Sequence, residues 1–287
     1  MKYKIPALYQ TIKIAYIQKM AGKIKSGKVP SGKKFTDKKT AGKKTGAPKT
    51  TVPAASAPKI SAPKAAPRGL QKKIRVKTRK NRTISSARWL ERQLNDPYVA
   101  AAKAEGYRSR AAFKLIQMNE DLKLLKPGQK IVDLGAAPGG WTQIAVDIVK
   151  PDKTGGRVVA IDILDMPEVP GAEFIWLDFM DNSAPDKLKK MIGGRADIVM
   201  SDMAPPTVGH KQTDHLRIMA LAEAAYEFAH EILVPGGTFL SKVFMGGSSS
   251  DLLNQMKKDF VKVKHIKPHA SRSDSSEMYV VALGFRG

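Results

Sequence analysis

Four short apolar runs, each with an aspartate at or just after its end, constrain the fold more than any other feature of this sequence. Apolar runs of this length between turn residues predict buried strands, and the segments that separate them are long enough for helices. Strands that alternate with helices predict an α/β fold with a mainly parallel sheet. The four aspartates are Asp133, Asp162, Asp178 and Asp202.

Three further strand-like runs near the carboxyl terminus bring the predicted number of strands to seven. They cover residues 239–244, 261–266 and 278–283. The connection between the last two runs, residues 267–277, is too short for a helical crossover, so we expect that pair to be antiparallel. The sequence therefore predicts a Rossmann-like, seven-stranded sheet whose last strand is antiparallel.

Helix signals lie between the predicted strands. Asp96 is suited to cap a helix and Pro97 to be its first residue, so we expect a helix that runs from there towards Leu125. A second helix is expected over residues 141–149 and a long third one over about 216–233.

A glycine-rich loop follows the first predicted strand and opens the helix that begins at Trp141. Its glycines, Gly135, Gly139 and Gly140, let the backbone turn tightly and let a ligand approach the main chain. In open α/β sheets, ligands bind beyond the carboxyl ends of the strands. The loop therefore predicts a cofactor site at that edge.

The loop favours S-adenosylmethionine over a dinucleotide. Pro138 lacks the N–H group that a pyrophosphate would use near the helix start, and the spacing is not that of a dinucleotide-binding loop. S-adenosylmethionine has no phosphate, and acidic side chains at strand ends suit its amino-acid group and its sulfonium. Asp162, at the end of the second strand, can accept both ribose hydroxyls. A nicotinamide-dependent dehydrogenase is the alternative interpretation.

Charge divides the chain into two parts. Residues 1–82 contain 24 Lys and Arg and one acidic residue, Asp37, so this part carries a net +23 of the formal +24. Its composition of Lys, Ala, Pro, Gly, Ser and Thr cannot bury enough apolar surface to fold, which predicts a largely disordered extension. Such a block attracts a polyanion, and RNA is the expected partner. An anionic membrane surface and a plain solubility tail are the alternatives.

Residues 83–287 have the mixed composition of a folded domain. The chain has no Cys, which excludes disulfides, thiolate nucleophiles and Cys-ligated metals. No apolar stretch is long enough to span a membrane, and Lys4 and Lys13 interrupt the apolar residues of the amino terminus, unlike a secretory signal. We expect a cytoplasmic bacterial protein that binds no membrane, with an organellar presequence as the alternative.

Several separate motifs occur in a fixed order between residues 85 and 287, and in them the region resembles the FtsJ/RrmJ family of ribose 2′-O-methyltransferases. The first 82 residues lie outside the resemblance. The bacterial ribosomal branch of the family is the most similar one. The matching segments are Ser86–Leu90, Arg108–Leu115, Asp133–Trp141, Ser201–Pro205, Pro235–Gly237, Lys242–Phe244, Ser271–Arg272 and Ser276–Tyr279.

The resemblance implies a fold, a cofactor and a set of functional residues. The implied fold is the α/β, Rossmann-like sheet of S-adenosylmethionine-dependent methyltransferases, and no metal is implied. The implied substrate is a uridine ribose of large-subunit ribosomal RNA, bound by a monomer. The implied catalytic tetrad is Lys114, Asp202, Lys242 and Glu277. The implied cofactor contacts are Gly139, Trp141, Asp162, Asp178 and Asp202.

The tetrad suits the chemistry of a ribose hydroxyl, which is a poor nucleophile until a general base removes its proton. Lysine can be that base when burial or a nearby like charge destabilises its ammonium form. Lys242 ends an apolar strand, which is an uncommon position for a lysine, and Lys114 can supply the like charge. Asp202 and Glu277 can position the two amines, and alignment with the methyl donor then supplies much of the acceleration.

Three alternatives remain. An enzyme of the same chemistry could act on transfer RNA or an mRNA cap, and a non-catalytic assembly factor could share the fold. An amino-group methyltransferase is disfavoured, because Ser201–Pro206 lacks the Asn/Asp-Pro-Pro-Tyr/Phe motif expected after the fourth strand.

Tyr107, Arg108 and Arg110 could stack on a base or contact phosphates.

Overall fold

Seven strands form one sheet in the part of the chain that the computed structural model describes, residues 74–76, 84–205, 209–244 and 250–287. The extension predicted for residues 1–82 lies outside this part except for residues 74–76. The strands are β1 (Lys130–Leu134), β2 (Arg157–Asp162), β3 (Glu173–Trp176), β4 (Ala196–Ser201), β5 (Leu233–Phe244), β6 (Phe260–Ile266) and β7 (Glu277–Phe285).

The order of strands across the sheet is β3-β2-β1-β4-β5-β7-β6. Strands β1 to β5 are parallel to one another. Strand β7 lies between β5 and β6 and is antiparallel to both. The predicted α/β, Rossmann-like sheet with an antiparallel last strand is therefore confirmed.

Eight helices accompany the sheet within the described residues. Helices α4 and α6 contact β1 and β2, α7 contacts β4 and β5, and α8 contacts β6. None of them is both long and apolar enough to cross a membrane. The helices are α1 (Ile84–Leu94), α2 (Pro97–Ala104), α3 (Ala111–Leu122), α4 (Gly140–Val149), α5 (Pro151–Thr154), α6 (Ala184–Ile192), α7 (Lys211–Ile232) and α8 (Ser250–Asp259).

The central strands are buried along most of their length, as expected for a parallel sheet covered by helices. This burial explains why their sequences are continuous apolar runs rather than alternating ones. The exception is Asp133 near the end of the buried strand β1, which has no solvent exposure. Burying an ionised carboxyl group costs free energy unless the group is paired, hydrogen-bonded or protonated.

The helix predicted from Pro97 towards Leu125 is wrong in its length, because the structure divides it into α2 and α3. Asp96 does cap α2, with its side chain accepting from the Tyr98 N–H at 3.1 Å, and Pro97 is its first residue. Gly106 then adopts a φ of +77°, which glycine tolerates and which ends the helical path. The break lets α3 start in a new direction.

Helix α7 begins at Lys211, five residues before the predicted start near Leu216. His210 caps it, with its ring nitrogen accepting from the Thr213 N–H. Histidine is not among the residues that usually cap helices, so the sequence carried no clear start signal there.

The topology brings the ends of several strands to one edge of the sheet. The parallel strands β1, β2, β4 and β5 all finish there, and the antiparallel strand β7 begins there. In the β5–β7 pair, Lys242 lies opposite Tyr279 and Phe244 lies opposite Glu277. The antiparallel last strand thus carries an acidic residue to the edge where the cofactor loop lies.

Candidate active site

Lys242 and Asp202 form an ion pair at the carboxyl edge of the sheet. Lys242 lies near the end of β5 and Asp202 directly follows β4, which is the neighbour of β5. The Lys242 Nζ lies 2.8 Å from the Asp202 Oδ1 and donates to the Asp202 main-chain oxygen at 2.7 Å. The lysine residue is only 8% exposed, so its amine is held at one place and largely shielded from water.

Lys114 and Glu277 form a second ion pair beside the first. Lys114 lies on α3 and is also 8% exposed, and its Nζ donates to the Glu277 Oε1. The same Nζ lies 3.1 Å from the hydroxyl of Tyr279. The break before α3 and the antiparallel direction of β7 are what bring these two residues together.

Tyr279 connects the two ion pairs. Its hydroxyl lies 2.6 Å from the Asp202 Oδ1 and 2.8 Å from the Glu277 Oε1. The hydroxyl has one proton, so it donates to one of the carboxylates at a time while it accepts from Lys114. All four residues of the predicted tetrad therefore belong to one hydrogen-bonded cluster, with Tyr279 at its centre.

The surroundings of the cluster shift the pKa of two of its members. Burial alone would raise the pKa of Asp202, but the Lys242 and Lys114 ammonium groups and hydrogen bonds from Lys242 and Tyr279 outweigh it, and the pKa is lowered. Burial raises the pKa of Tyr279 well above its ordinary value, and the nearby Asp202 and Glu277 carboxylates raise it further. Asp202 is thus a poor base, and the Tyr279 hydroxyl keeps its proton.

The glycine-rich loop packs closely against this cluster. Gly135 has a φ of +76°, and a Cβ atom there would lie 2.8 Å from the main-chain nitrogen of Met203, next to Asp202. The Asp202 N–H also donates to the oxygen of Leu134 at 3.1 Å. A side chain at position 135 would separate the loop from the ion pairs, so glycine is required.

Two predicted cofactor residues, Asp162 and Asp178, lie at the same edge with partly exposed side chains. The Asp162 carboxylate accepts from the Ala137 N–H at 2.8 Å and from the Leu164 N–H at 2.7 Å, which fixes its orientation. The Asp178 Oδ1 accepts from the Met180 N–H at 2.9 Å. Each carboxylate oxygen can accept a second hydrogen bond, so both residues retain capacity for a ligand.

Two buried polar atoms beside the loop have no hydrogen-bond partner among the described residues, Ser109 Oγ and Asp133 Oδ1. Ser109 Oγ faces the start of α4, since a Cβ atom on Gly140 would lie 2.5 Å from it. Buried polar atoms are rarely left unpaired, and the protein itself encloses both of these atoms, so the partner expected for them is an enclosed water and not a cofactor. The partly exposed carboxylates of Asp162 and Asp178 offer hydrogen-bond acceptors, which suits the hydroxyl and amino groups of S-adenosylmethionine.

Gly139 and Trp141 contribute to the site in different ways. Gly139 has a φ of +103° and lies against the side chain of Arg108. The Trp141 side chain is buried, donates to the Ala111 oxygen at 2.8 Å and packs on the Tyr279 ring at 5.6 Å between centroids. The side-chain N–H of Trp141 is therefore already engaged, so a hydrogen bond from Trp141 to a cofactor would have to come from its main chain.

The arginines that could contact phosphates are largely engaged within the protein. Arg108 donates to the oxygens of Pro167 and Glu168, each at 2.5 Å, and so ties the loop after β2 to the cofactor loop. Arg110 forms an ion pair with Asp96 and donates to the Ala270 oxygen. Their positions favour a structural role over an RNA contact.

Tyr279 and Ser109 are the site residues that sequence reasoning did not assign a role, whereas Asp133, which was expected at the cofactor edge, is fully buried. Tyr279 stands two positions after Glu277 in a strand, so both side chains point to the same face, and this spacing was a usable signal. Nothing in the sequence around Ser109 indicated its contact with Gly140. The described residues contain no group of three or more His, Cys, Asp or Glu arranged to hold a metal ion.

The sheet order, the glycine-rich loop and the strand-end carboxylates define a Rossmann-like methyltransferase. The sequence model of the FtsJ-like methyltransferase family matches residues 107–285, which is more than half of the chain. The chain belongs to the FtsJ-like methyltransferase family and is a methyltransferase.

Bacterial proteins that share one name are similar to this chain. The ribosomal RNA large subunit methyltransferase E of Bradyrhizobium diazoefficiens is 61% identical over 214 residues, which cover 75% of this chain and 94% of that protein. The protein of the same name from Paramagnetospirillum magneticum is 59% identical over 217 residues, covering 75% and 88%.

Among solved structures, a Plasmodium falciparum protein provisionally described as a ribosomal RNA methyltransferase has a similar fold. It is 30% identical to this chain with a TM-score of 0.56. The match covers 63% of this chain and all of that one.

Proposed function

We propose that this protein transfers a methyl group from S-adenosylmethionine to the 2′-hydroxyl of a uridine ribose in large-subunit ribosomal RNA. The names of the bacterial relatives, ribosomal RNA large subunit methyltransferase E, support the RNA target. The uridine follows from the resemblance to the ribosomal branch of the family. The one observation that carries the chemistry is the buried cluster in which Tyr279 links the ion pairs Lys242–Asp202 and Lys114–Glu277.

Lys242 is the proposed general base. Asp202 has a lowered pKa and Tyr279 a raised one, so neither accepts a proton readily near neutral pH. The lysine amines remain, and the Lys114 Nζ is already engaged by Glu277 and Tyr279. Lys242 Nζ takes the proton of the 2′-hydroxyl, while Asp202 holds that amine in place through its carboxylate and its main-chain oxygen.

Lys114 and Glu277 are proposed to position the other side of the cluster. Glu277 orients the Lys114 ammonium, and together with Tyr279 they keep Asp202 ionised and fixed. With both lysines protonated and both carboxylates ionised, the four charges cancel. When bound, S-adenosylmethionine supplies an electrophilic methyl group and an added positive charge. A nearby positive charge disfavours the ammonium form of a lysine and so favours release of its proton.

The proposed cofactor residues are those at the carboxyl edge of the sheet. In this proposal Asp162 accepts hydrogen bonds from the ribose hydroxyls of S-adenosylmethionine, Asp178 accepts from its adenine, and Asp202 accepts from its amino group. Gly139 and the main chain of Trp141 form the wall of the pocket. The fixed carboxylates hold the two reactants in line. This alignment is a large part of the acceleration expected for this reaction.

We also propose that residues 1–82 form a basic extension that contacts RNA and that residues 83–287 form the catalytic domain. A net charge of +23 in the first 82 residues supports this division. We expect the protein to act as a monomer in the bacterial cytoplasm.

The experiment is to incubate the protein with S-adenosylmethionine labelled in its methyl group and with separated large subunits, small subunits and transfer RNA. We expect label in large-subunit RNA only, and mapping of alkali-resistant linkages should place it on one uridine ribose. Label in transfer RNA would instead support the alternative target. A complete absence of transfer to any RNA, with S-adenosylmethionine still bound, would favour a non-catalytic assembly factor.

A further inference from the structure

Three residues of the basic sequence before the catalytic domain lie against helix α1. The Ile74 N–H donates to Asn95 Oδ1 at 2.8 Å, and Asn95 Nδ2 donates back to the Ile74 oxygen at 2.8 Å. Two residues further on, the Val76 N–H donates to Glu91 Oε1 at 2.9 Å. The segment is therefore held at two points through its main chain.

The two side chains that hold the segment are neighbours on α1 and at its end. Glu91 and Asn95 are four residues apart, and Asn95 Nδ2 also donates to the Glu91 oxygen at 2.7 Å, which fixes the direction of the amide. Arg75, between the two held residues, is exposed. The contacts thus hold the backbone on the helix and leave the charged side chain in solvent.

The same surface of α1 carries two exposed arginines. Arg88 and Arg92 are four residues apart and are exposed, and neither forms an ion pair with any residue that the structure describes. Glu91 is the one acidic residue of α1, and its carboxylate accepts from the Val76 N–H. Its charge offsets one arginine, so Arg88 and Arg92 leave α1 with a net charge of +1.

The anchored segment belongs to a strongly basic stretch. Residues 71–82 contain seven Lys and Arg and no acidic residue, whereas residues 83–287 carry a net charge of only +1. The catalytic domain has little net attraction for a polyanion of its own. A basic stretch fixed beside Arg88 and Arg92 would supply that attraction at a defined place.

This surface leads towards the active site. Asp96 follows Asn95 and forms ion pairs with Arg110 on α3 and with Arg272 in the β6–β7 loop. Arg110 precedes Lys114 by one helical turn, and the loop leads into Glu277. RNA bound along α1 is thus close to the residues of the proposed chemistry.

We propose that Asn95 and Glu91 anchor residues 74–76 of the basic extension on α1, so that Arg75 joins Arg88 and Arg92 in one surface for the phosphates of the substrate RNA. This inference rests on the proposed function, since it takes RNA as the substrate. Fixing the segment before binding lowers the entropy lost when it contacts the phosphates, which raises affinity without any additional charge. The extension then acts as a directed arm and not as a free tail.

The test uses substitutions that change no charge. Asn95→Ala removes both hydrogen bonds to Ile74, and Ile74→Pro removes the N–H donor from the other partner. Asn254→Ala, at an exposed position on the distant helix α8, is the matched control. Binding of the full-length proteins to in vitro transcribed large-subunit ribosomal RNA is measured by filter binding over a series of KCl concentrations, together with methyl transfer.

We expect Asn95→Ala and Ile74→Pro each to weaken RNA binding about fivefold, which is the typical net effect of one neutral hydrogen bond. The dependence of affinity on salt should become shallower, because fewer phosphates are contacted. The control should bind as the unaltered protein does. The rate of methyl transfer at saturating RNA should be unchanged, and the RNA concentration needed for half of that rate should rise.

Unchanged RNA affinity and salt dependence in both variants would overturn the proposal. An effect of Asn95→Ala that Ile74→Pro does not reproduce would also overturn it, because it would then arise within α1. Weaker binding to intact subunits with unchanged binding to protein-free RNA would assign the surface to an acidic protein instead. Failure of the unaltered protein to methylate any RNA would contradict the proposed function, and the binding comparison would still decide whether the segment is anchored.

Discussion

At the residue scale, Asp133 is the most unusual group in the fold. Burial near the end of β1 raises its pKa to about 7 from 3.8, the Thr142 hydroxyl acts against this shift, and the carboxylates of Asp202 and Asp162 add to it. The folded protein therefore keeps a proton on Asp133 at pH values where the unfolded chain has lost it. From this group, stability is greatest below about pH 4, falls as the pH rises to about 7, and is constant above that.

Asp133→Asn should remove this pH dependence, because asparagine stays neutral and can still accept from the Thr142 hydroxyl. Between pH 5.5 and pH 8, the unaltered protein should lose about 2 kcal/mol of unfolding free energy that the variant retains. Urea unfolding of both proteins at the two pH values measures the difference. Equal losses in the two proteins would show that Asp133 is not the buried acid described above.

The tetrad was predicted from the resemblance to a known family. Matching motifs far apart in the sequence implied Lys114, Asp202, Lys242 and Glu277, and the structure brings all four together. Tyr279 was not given a role, because a tyrosine in a strand is usually a core residue. Its position between two carboxylates depends on the pairing of β5 with β7, which no local sequence pattern specifies.

At the element scale, one face of α3 holds the loop that leads into Glu277. Arg110, Lys114 and Gln117 are spaced four and three residues apart, so they lie on the same side of the helix. Arg110 donates to the Ala270 oxygen, and Gln117 Oε1 accepts from the Ala270 N–H at 2.8 Å. The loop between β6 and β7 is thus fixed on both sides of Lys114.

Gln117→Leu should therefore slow methyl transfer without weakening cofactor binding, since Glu277 would be held less firmly against Lys114. A misplaced catalytic group typically lowers the rate by about tenfold to 100-fold. Steady-state rates at saturating substrate, with S-adenosylmethionine binding measured by calorimetry, test this. Gln255→Leu, which loses hydrogen bonds to Asp259 on α8, is the control. A similar loss of rate in both variants would point to a general effect on folding.

The sequence predicted strands better than helices. All seven strands lie where strands were predicted, and the buried parallel strands β1, β2 and β4 left the clearest apolar signal. The division of the first helix into α2 and α3 depended on one glycine, Gly106, which a helix can also tolerate in its interior. Helices α6 and α8 were not predicted, although their buried residues recur at helical spacing, Leu188 with Ile192 and Leu252 with Met256.

At the scale of the whole molecule, a nearly neutral catalytic domain is joined to a strongly basic sequence. The relative from Bradyrhizobium diazoefficiens has 94% of its length in the match, whereas the same match covers 75% of this chain. Most of the extra sequence in this chain therefore has no counterpart there. The order of the strands across the sheet could not be predicted from local patterns, because it depends on contacts between distant segments. The resemblance to a known family supplied only the class of sheet, and the order is a finding of the structure.

Removal of residues 1–82 should preserve methyl transfer at saturating RNA but weaken RNA binding. The slope of log affinity against log salt should decrease by about 0.7 to 0.9 for each phosphate contact that is lost. Filter binding over a KCl series with the full-length and shortened proteins provides the slopes. An unchanged slope would reject the RNA-binding role of residues 1–82 and favour a solubility tail.

The central claim is that the Lys242 amine removes the proton of a ribose 2′-hydroxyl. The most direct measurement is the transfer of labelled methyl from S-adenosylmethionine to large subunits by Lys242→Ala, with cofactor binding determined in parallel and Lys262→Ala, at an exposed position of β6, as the control. We predict that Lys242→Ala loses at least about 100-fold in transfer rate, that it binds the cofactor nearly as before, and that the control is fully active. Transfer by Lys242→Ala at the rate of the unaltered protein would contradict the mechanism.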